Sequence, residues 1–421
     1  MKLWKNRPFV YLFLARFVAL IGDGLLFLAL LKMLELQQTG SIGLSFYYLA
    51  AGIPAFLFAI PAGAVVEKSN LQKTMIITDL TRALLIVIFI VMQIYGWQHP
   101  ALIYTLLFVI TINDMFFLPA SQSLLRWIVP EELRPSANGQ LQMAMMTGKL
   151  LSYSMGAFLI KQGMSLSMLL VVTIATFLCS ASIVLRIRPY IVNHSNQTAK
   201  TLQLAVEGVR FIQRTPVIRS IFIIFGLAWL VGSSIDIFLI SYLNQILHMG
   251  TENLYLISIF SLCGIVIGSL LAPWCYKTIN KKIGFCLPSL IFGLVFVAYA
   301  MQLPLPVLLV SLMIGGIAQG IFITFVNSYL QEITSQDYYA RISSFYTLLM
   351  QGASLPGFFL IGVLIERTGV LYTGYMIGLY MILLAVFSLF ILPSLQKQKE
   401  EQTDIALPVH PLQDEYSVSN R

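Results

Sequence analysis

The stretch Arg16-Phe-Val-Ala-Leu-Ile-Gly-Asp23-Gly-Leu-Leu-Phe27 lies near the middle of the first long apolar run of the chain. An ionised side chain at the centre of a bilayer costs roughly 2.5–3.5 kcal/mol on insertion-derived scales. Residues this costly are typical of sites that bind a proton or a cation, or that pair with a basic side chain. Asp23 therefore predicts a membrane protein whose first span carries a functional charge, and it favours transport.

The composition of the whole chain indicates that lipid is its main solvent. The 421 residues are 58% hydrophobic and 10% charged, and the mean hydropathy is +0.83. Soluble domains carry about 25% charged residues, so this chain has too few to cover a water-facing surface. A spanning helix needs about 20 apolar residues. Twelve runs qualify, at about 8–34, 42–66, 74–95, 101–127, 137–160, 165–188, 216–243, 252–276, 283–302, 305–330, 341–365 and 370–393; we number them spans 1 to 12.

The distribution of basic residues predicts the orientation. With the N-terminus inside, 20 of the 26 Lys and Arg residues fall in cytoplasmic segments. Lys32, Lys161 and Arg367 fall on the outer side, and Arg16, Arg82 and Lys149 fall within spans. This asymmetry follows the positive-inside rule, so both termini are expected in the cytoplasm, and the net charge of +8 requires no nucleic-acid partner. The first span is too long and too charged for a cleaved signal peptide.

The spans divide into two sets of six around a polar stretch. We expect an N-terminal bundle at 1–190, a cytoplasmic linker at 191–215, a C-terminal bundle at 216–395 and a disordered cytoplasmic tail at 396–421. Ala19-Leu-Ile-Gly22-Asp23 is similar to Trp229-Leu-Val-Gly232-Ser233 at an offset of 210 residues, and the segment from Ser123 is similar to that from Ser328. Parallel six-span repeats are a known transporter plan in which the binding site lies between the halves. The predicted fold class is an all-α membrane protein with twelve transmembrane helices in two six-helix pseudo-repeat bundles.

The charges near mid-depth are candidates for an ion or substrate path. They are Asp23 in span 1, Asp114 in span 4, Lys149 in span 5 and Asp236 in span 7. Lys149 has two readings, a functional charge or a neutralising partner for a nearby carboxylate.

Three further charges have alternatives that the sequence leaves open. Arg16 lies two helical turns before Asp23, and it either holds Asp23 ionised or snorkels towards the interface. Asp79 and Arg82 are three residues apart in span 3, so they can pair with each other.

The chain carries no constellation expected of an enzyme. The histidines, His99, His194, His248 and His410, fall in loops or in the tail. The cysteines, Cys179, Cys263, Cys275 and Cys286, fall in spans and are interpreted as small core residues, without disulfide or metal spacing. Neither a nucleophile elbow nor a Walker loop is present, which argues against an enzyme and against ATP-driven transport by this chain alone. No cofactor or metal is expected.

The segment Gly63-Ala-Val-Val-Glu67-Lys68-Ser-Asn-Leu-Gln-Lys73 resembles the signature loop between spans 2 and 3 of the major facilitator superfamily, with Glu67 in place of Asp. Other segments resemble the macrolide-efflux and enterobactin-exporter branch of its drug:proton antiporters. These are Asp79-Leu80, Leu118-Pro119-Ala120, Val129-Pro130-Glu131-Glu132-Leu133, Ala137-Asn138-Gly139, Glu207-Gly208-Val209, and Gln331-Glu332 to Arg341. The Gly-Pro of the antiporter signature in span 5 is absent after Lys149.

The resemblance implies the major facilitator fold and a set of roles. Spans 1, 4, 7 and 10 would line a central cavity. Asp23 and Asp114 would couple transport to protons, with the proton gradient as the energy source. The substrate cavity would contain Arg16, Lys149, Trp229, Asp236, Gln319 and Asn327, and for Gln319 and Asn327 interhelical hydrogen bonding is the alternative. A conformational latch, centred on a pair between Glu67 and Arg341, would comprise Gly63, Glu67, Lys68, Asp79, Arg82 and Arg341.

We therefore expect a secondary transporter of a bacterial cytoplasmic (inner) membrane, functional as a monomer, that exchanges protons for an amphipathic small molecule such as a drug or a siderophore. A coupling ion drives such a cycle only if it binds the two states differently, and one charge crossing the membrane is worth about 2.3 kcal/mol per 100 mV. The acidic cavity favours a cationic or zwitterionic cargo, whereas Lys149 and Arg16 leave room for an anionic one. Uptake of a small nutrient and a non-transporting membrane scaffold are the alternatives.

Overall fold

A computed structural model of the chain describes residues 3–67, 69–130, 133–187, 215–333 and 336–391. The elements in these ranges are helices, and twelve of them are long and apolar enough to cross a membrane. The prediction of an all-helical, twelve-span protein is confirmed. Spans 1 to 6 are Arg7–Leu36, Gly40–Glu67, Leu71–Ile94, Pro100–Ile128, Arg134–Lys161 and Leu166–Val184. Spans 7 to 12 are Pro216–Gln245 in two pieces, Leu254–Thr278, Lys281–Ala300, Leu305–Ile333, Gln336–Thr368 and Val370–Ile391.

Several spans begin where a short polar residue caps the first turn. The side chains of Asn6, Asn70 and Ser165 accept hydrogen bonds from the backbone N–H groups three residues later, at Phe9, Lys73 and Met168. Such caps satisfy donors that a helix start leaves without partners. Span 3 begins at Leu71, three residues before the predicted start, and this sets the depth of its charges.

The pattern of helix packing repeats between the halves. In the first half, span 1 packs on spans 5 and 6, span 2 on span 4, and span 3 on spans 4 and 6. In the second half, span 7 packs on spans 11 and 12, span 8 on span 10, and span 9 on spans 10 and 12. The halves meet where span 2 packs on span 11 and span 5 packs on span 8. These contacts build two six-helix bundles related by a pseudo-repeat.

Spans 8 and 10 pack with their backbones in contact because both present glycine. A Cβ atom added at Gly264 would collide with the carbonyl oxygen of Met313 and lie 3.0 Å from the Cα of Gly316. Small residues at helix interfaces are the usual way for membrane helices to approach this closely.

Replacing Gly264 with valine is expected to destabilise the second bundle, because the added atoms meet backbone that cannot move aside. Overpacking of this kind costs about 1–3 kcal/mol or more, so the thermal midpoint of the purified protein should fall. Gly139 is the matched control, since no atom lies within 4 Å of a Cβ there. Equal midpoints for Gly264→Val and Gly139→Val would contradict the packing account.

Span 7 has the predicted extent but is two helices rather than one. The first helix, Pro216–Gly232, ends where the N–H of Ser233 bonds to the carbonyl of Trp229, and the second, Ile235–Gln245, begins after Ser234. The interruption places Asp236 in the first turn of the second helix, where a carboxylate is favoured by the positive end of the helix dipole.

The structure corrects the interpretation of two cysteines and does not test the predicted domain boundaries. The interpretation of the cysteines as core residues is wrong for Cys179 and Cys263, which are exposed, while Cys275 is buried and Cys286 is half-buried. Span 6 and span 8 thus carry these two thiols on the outside of the bundle. Nearly all of the predicted linker at 191–215 and the whole tail at 396–421 lie outside the described residues, so the domain boundaries there stay predictions.

Candidate charged site and the cavities beside it

One guanidinium group joins three carboxylates from three helices. Nη2 of Arg82 lies 2.5 Å from Oδ1 of Asp114, and Nη1 lies 3.5 Å from Oδ1 of Asp23 and 3.6 Å from Oδ1 of Asp79. We call these four residues the charged cluster. The structure thus brings together both predicted proton-coupling residues and the predicted pair of span 3.

Members of the charged cluster differ in their access to water. The side chains of Asp23 and Asp114 are 38% and 33% exposed, whereas those of Asp79 and Arg82 are 0% and 2% exposed. Asp23 and Asp114 are therefore the partly exposed members of the cluster, and Arg82 lies behind them. Asp79 lies deepest in the protein.

Aromatic rings and hydrogen bonds hold the cluster in place. The guanidinium lies over the rings of Phe117 and Phe177 at 4.9 and 5.2 Å, positions in which a cation is attracted by the ring faces. The hydroxyl group of Ser180 donates to Oδ2 of Asp79 at 2.6 Å. Next to Asp114, the Asn113 amide donates to the carbonyl of Thr78 at 2.7 Å and ties span 4 to span 3. Spans 3, 4 and 6 thus surround the charges and orient them.

Sequence reasoning placed Arg82 in a latch near the cytoplasmic end of span 3 and did not connect it to Asp23 or Asp114. The i, i+3 pairing of Asp79 with Arg82 is present, but it is one of three ion pairs that Arg82 makes. The depth of Arg82 was misjudged because span 3 begins at Leu71, three residues earlier than predicted. Three residues correspond to about 4.5 Å along a helix.

Arg16 and Lys149 do not join the cluster. Arg16 is buried at 9% exposure and makes no ion pair within 4 Å with any residue that the structure describes. Lys149 is exposed, and its ammonium group lies 5.7 Å from the centre of the Tyr153 ring. Neither residue therefore neutralises Asp23 in the described part of the chain.

Asp236 forms a separate polar site between the halves. Its carboxylate lies beside the hydroxyl groups of Tyr48 and Tyr153, which come from spans 2 and 5 of the first half. The ring of Tyr48 packs on that of Phe358 in span 11 at 5.3 Å. The predicted midplane set of three aspartates thus splits into two sites, one within the first half and one between the halves.

The second half contains a small apolar cavity, whose lining residues are uncharged. Trp229 and Gln319, both predicted to be in the substrate cavity, line it together, and Asn327 lies outside its lining. Its volume is about 40 Å³, which admits a small apolar group, whereas pockets for whole drug-sized molecules measure roughly 300–1,000 Å³. The other lining residues include Ser289, Phe292, Phe322 and Met381.

This cavity lies at the position that the repeat assigns to the charged cluster. At the offset of 210 residues, Asp79 corresponds to Ser289 and Arg82 corresponds to Phe292. The offset between Ser123 and Ser328 pairs Asp114 with Gln319. Equivalent positions therefore carry ions in the first half and apolar or neutral polar groups in the second.

The halves are joined at the end of the protein opposite to Arg7, which we call the distal end. Lys32 of span 1 binds Glu252 at 2.7 Å and Glu35 at 2.6 Å, and the N–H of Thr251 donates to Glu35 at 2.7 Å. These four residues form the distal lock. One turn deeper, the hydroxyl groups of Ser41 and Ser241 lie 2.9 Å apart. These contacts hold the two halves together at this end.

Breaking the distal lock is expected to open the distal end. The variant Lys32→Glu places three carboxylates together, so a cysteine introduced for buried Ser241 should react faster with a membrane-impermeant maleimide. The exchange Lys32→Glu with Glu252→Lys restores an attractive pair and should slow the reaction again. The parent chain without the Ser241 replacement is the background control, because it retains its four native cysteines. Unchanged reactivity in Lys32→Glu would contradict the lock.

Part of the predicted latch cannot be placed. The side chains of Gly63, Glu67, Lys68 and Arg341 lie outside the described residues, although Glu67 ends span 2 and Arg341 belongs to span 11. The pairing of Glu67 with Arg341 stays a prediction.

Two repeated six-helix bundles, with a charged cluster inside the first, are the plan of membrane transporters whose substrate path lies between repeats. The sequence profile of the Major Facilitator Superfamily matches residues 12–358. The chain belongs to the Major Facilitator Superfamily, so it is a multi-pass membrane transporter and not an enzyme. The predicted superfamily is confirmed, whereas the macrolide-efflux and enterobactin-exporter branch stays a prediction.

The chain is similar to two transporters of known sequence. It is 25% identical over 404 residues to the multidrug efflux pump Tap of Mycolicibacterium fortuitum, a match that covers 93% of this chain and 97% of Tap. It is 29% identical over 202 residues to the MFS-type transporter YvqJ of Bacillus subtilis strain 168. This match covers about half of each protein, 48% of this chain and 47% of YvqJ.

Solved transporter structures share the fold. A point mutant of the nucleoside transporter NupG covers 92% of this chain and 100% of its own, with a TM-score of 0.77 and 15% identity. A bacterial homologue of the human lysosomal transporter Spinster, in an inward-facing and unoccupied conformation, covers 92% of this chain and 95% of its own, with a TM-score of 0.67 and 14% identity. At these identities the likeness concerns the fold alone.

Proposed function

We propose that the protein exports an amphipathic, cationic small molecule across the cytoplasmic membrane in exchange for protons. The observation that carries the proposal is the charged cluster, in which Asp23 and Asp114 are open to water while Arg82 is buried behind them. A carboxylate in this setting binds either a proton or a cationic group, and the two compete for one site. Competition of this kind couples the movement of one to the movement of the other.

The cavity of the second half supports an amphipathic cargo. A cation held at Asp23 and Asp114 leaves its apolar part to face the opposite bundle, where Trp229, Phe292 and Gln319 line an apolar cavity. Small-molecule sites are mostly apolar with a few polar groups that set orientation. The similarity to the efflux pump Tap over nearly the whole of both chains supports export of such molecules.

Orientation and assembly are part of the proposal. The excess of Lys and Arg on one side supports cytoplasmic termini, which places the distal lock at the outer end of the protein. The complete repeat within one chain supports function as a monomer, because both walls of the site come from the same molecule.

Everted membrane vesicles test the function directly. The protein is reconstituted or overproduced, the lumen is acidified, and uptake of ethidium, erythromycin and a catecholate siderophore is measured in parallel. Accumulation of ethidium that collapses when a protonophore is added is the expected result. Accumulation of the siderophore alone would replace the cationic cargo by an anionic one, and proton-driven accumulation in right-side-out vesicles would show uptake instead of export.

The predicted cytoplasmic latch has its own test. We expect Glu67→Arg and Arg341→Glu each to impair ethidium export, because each single change places like charges opposite one another in the closed state. The double exchange should restore export to near the wild-type rate. Failure of the double variant to recover, while it is inserted in the membrane at the normal level, would remove the pairing.

A further inference from the structure

Two atoms of the charged cluster face each other without forming a hydrogen bond. Nη1 of Arg82 and Oδ1 of Asp79 lie 3.6 Å apart, beyond the usual 2.7–3.2 Å of an N–H···O bond. Neither atom has another hydrogen-bond partner, and Nε of Arg82 also has none. Because the two side chains are only 2% and 0% exposed, water does not readily satisfy these groups.

Asp79 differs from the other two carboxylates in that cargo cannot reach it. Its side chain is fully buried, and its second oxygen is fixed by the hydroxyl group of Ser180 at 2.6 Å. Asp23 and Asp114 are the partly exposed carboxylates. Arg82 thus has a close contact with Asp114 on the exposed side, and a longer ion pair with Asp79 on the buried side that can still shorten.

The surroundings of the guanidinium permit it to move between these partners. The rings of Phe117 and Phe177 hold Arg82 by its planar face. Contacts to the face leave the N–H groups at the edge free to change acceptors, since stacking does not use those donors. Asp79 is on the same helix three residues away, so a rotation of the Arg82 side chain alone can close the gap of 3.6 Å.

We propose that Asp79 is the alternate partner of Arg82, which pairs with Asp114 when the site is empty and turns to Asp79 when a cationic cargo occupies Asp23 and Asp114. The proposal rests on the proposed function for the identity of the occupant. Asp79 acts as a positioning residue: it never contacts cargo, but it lowers the cost of displacing Arg82. Without it, cargo binding would leave a buried guanidinium with no acceptor, which is strongly unfavourable.

The first test needs no cargo. Thermal midpoints of the purified protein are measured for Asp79→Asn, Asp114→Asn and the double variant. Each single variant leaves Arg82 two of its three carboxylates, so each midpoint should fall modestly. The double variant leaves only Asp23, at 3.5 Å, and should lose more than the sum of the two. Asp79→Asn combined with Asp236→Asn is the matched control. Asp236 lies outside the cluster, so the losses in thermal midpoint of the two single variants should add in this double variant. Additive losses for Asp79 and Asp114 would overturn the proposal.

If Asp79→Asn alone does not fold, Asp79→Asn in an Arg82→Gln chain is compared with Arg82→Gln alone. With the guanidinium absent, Asp79 should be dispensable, so the double variant should be at least as stable. A lower midpoint for the double variant would show that Asp79 serves the fold independently of Arg82, and would overturn the proposal.

The second test measures binding of tetraphenylphosphonium, a lipophilic cation, to the protein in nanodiscs. Asp79→Asn should raise the Kd about tenfold, a change that corresponds to about 1.4 kcal/mol. In an Arg82→Gln background the same change should leave the Kd within about twofold, because Asp79 acts only through Arg82 and coupled changes are not additive. An equal loss in both backgrounds would overturn the switch. Absence of binding by the wild type would instead refute the cationic cargo. The thermal midpoints of the first test would then be the remaining test of the pairing between Asp79 and Arg82.

Discussion

Replacing Asp23 with asparagine is expected to abolish concentrative transport of ethidium in energised vesicles. Asparagine keeps the size of the side chain but cannot carry a proton, so the exchange loses its coupling. With one proton exchanged per cargo molecule, each unit of pH difference supports about a tenfold cargo gradient, since tenfold corresponds to about 1.4 kcal/mol. The variant should therefore lose roughly that factor per pH unit and bring ethidium only to equal concentrations on both sides.

A substitution of a neutral polar residue away from the charged cluster serves as the control. Asn327→Ala, on span 10 and outside the lining of the apolar cavity, should keep concentrative transport. Uphill accumulation by Asp23→Asn at the wild-type level would show that Asp23 does not carry the coupling proton. Asp114→Asn is then the next variant to measure, because Asp114 is the other water-accessible carboxylate of the cluster.

Replacing Arg82 with methionine is expected to cause the largest loss of stability. It removes the cation shared by three carboxylates, and breaking a buried ion pair by removing one partner costs about 3–5 kcal/mol. Asp79 is most affected because it is wholly buried and keeps only the bond from Ser180. The thermal midpoint in detergent measures this loss, and Asp79→Asn in the same chain should recover part of it.

Arg16 provides the matched control for Arg82. It is also buried and also lies within a span, but it forms no ion pair with the described residues. The change Arg16→Met should therefore lower the midpoint less than Arg82→Met does. A larger loss for Arg16→Met would mean that the cluster contributes less to stability than its geometry indicates.

Much of the fold could be predicted because lipid imposes it locally. In a bilayer each backbone polar group must be satisfied within its own helix, so a long apolar run is sufficient evidence for a span. The predicted runs agree with the helices to within a few residues at most ends. The break within span 7 at Ser233 and Ser234 was not predicted, because it leaves the hydropathy of the segment unchanged.

The sequence was sufficient to identify the charged residues of the candidate site, but not to show which of them contact one another. The cost of burying charge singled out Asp23, Asp114 and Asp236 as individual residues. Which of them share a partner depends on how spans 1, 3 and 4 rotate and approach one another. No local pattern encodes that rotation, so the sequence left Arg16 as one possible partner of Asp23, whereas Arg82 is the residue in contact.

Hydropathy and the cost of buried ions are properties of single segments, so they were sufficient to predict a twelve-span transporter with charges in its interior. Only the packed helices show that three carboxylates converge on Arg82, that Asp236 lies apart, and that the equivalent place in the second half is an apolar cavity. Ion pairs act over a few ångströms, and residues as far apart in the chain as Asp23 and Arg82 come within that distance only when the helices have packed.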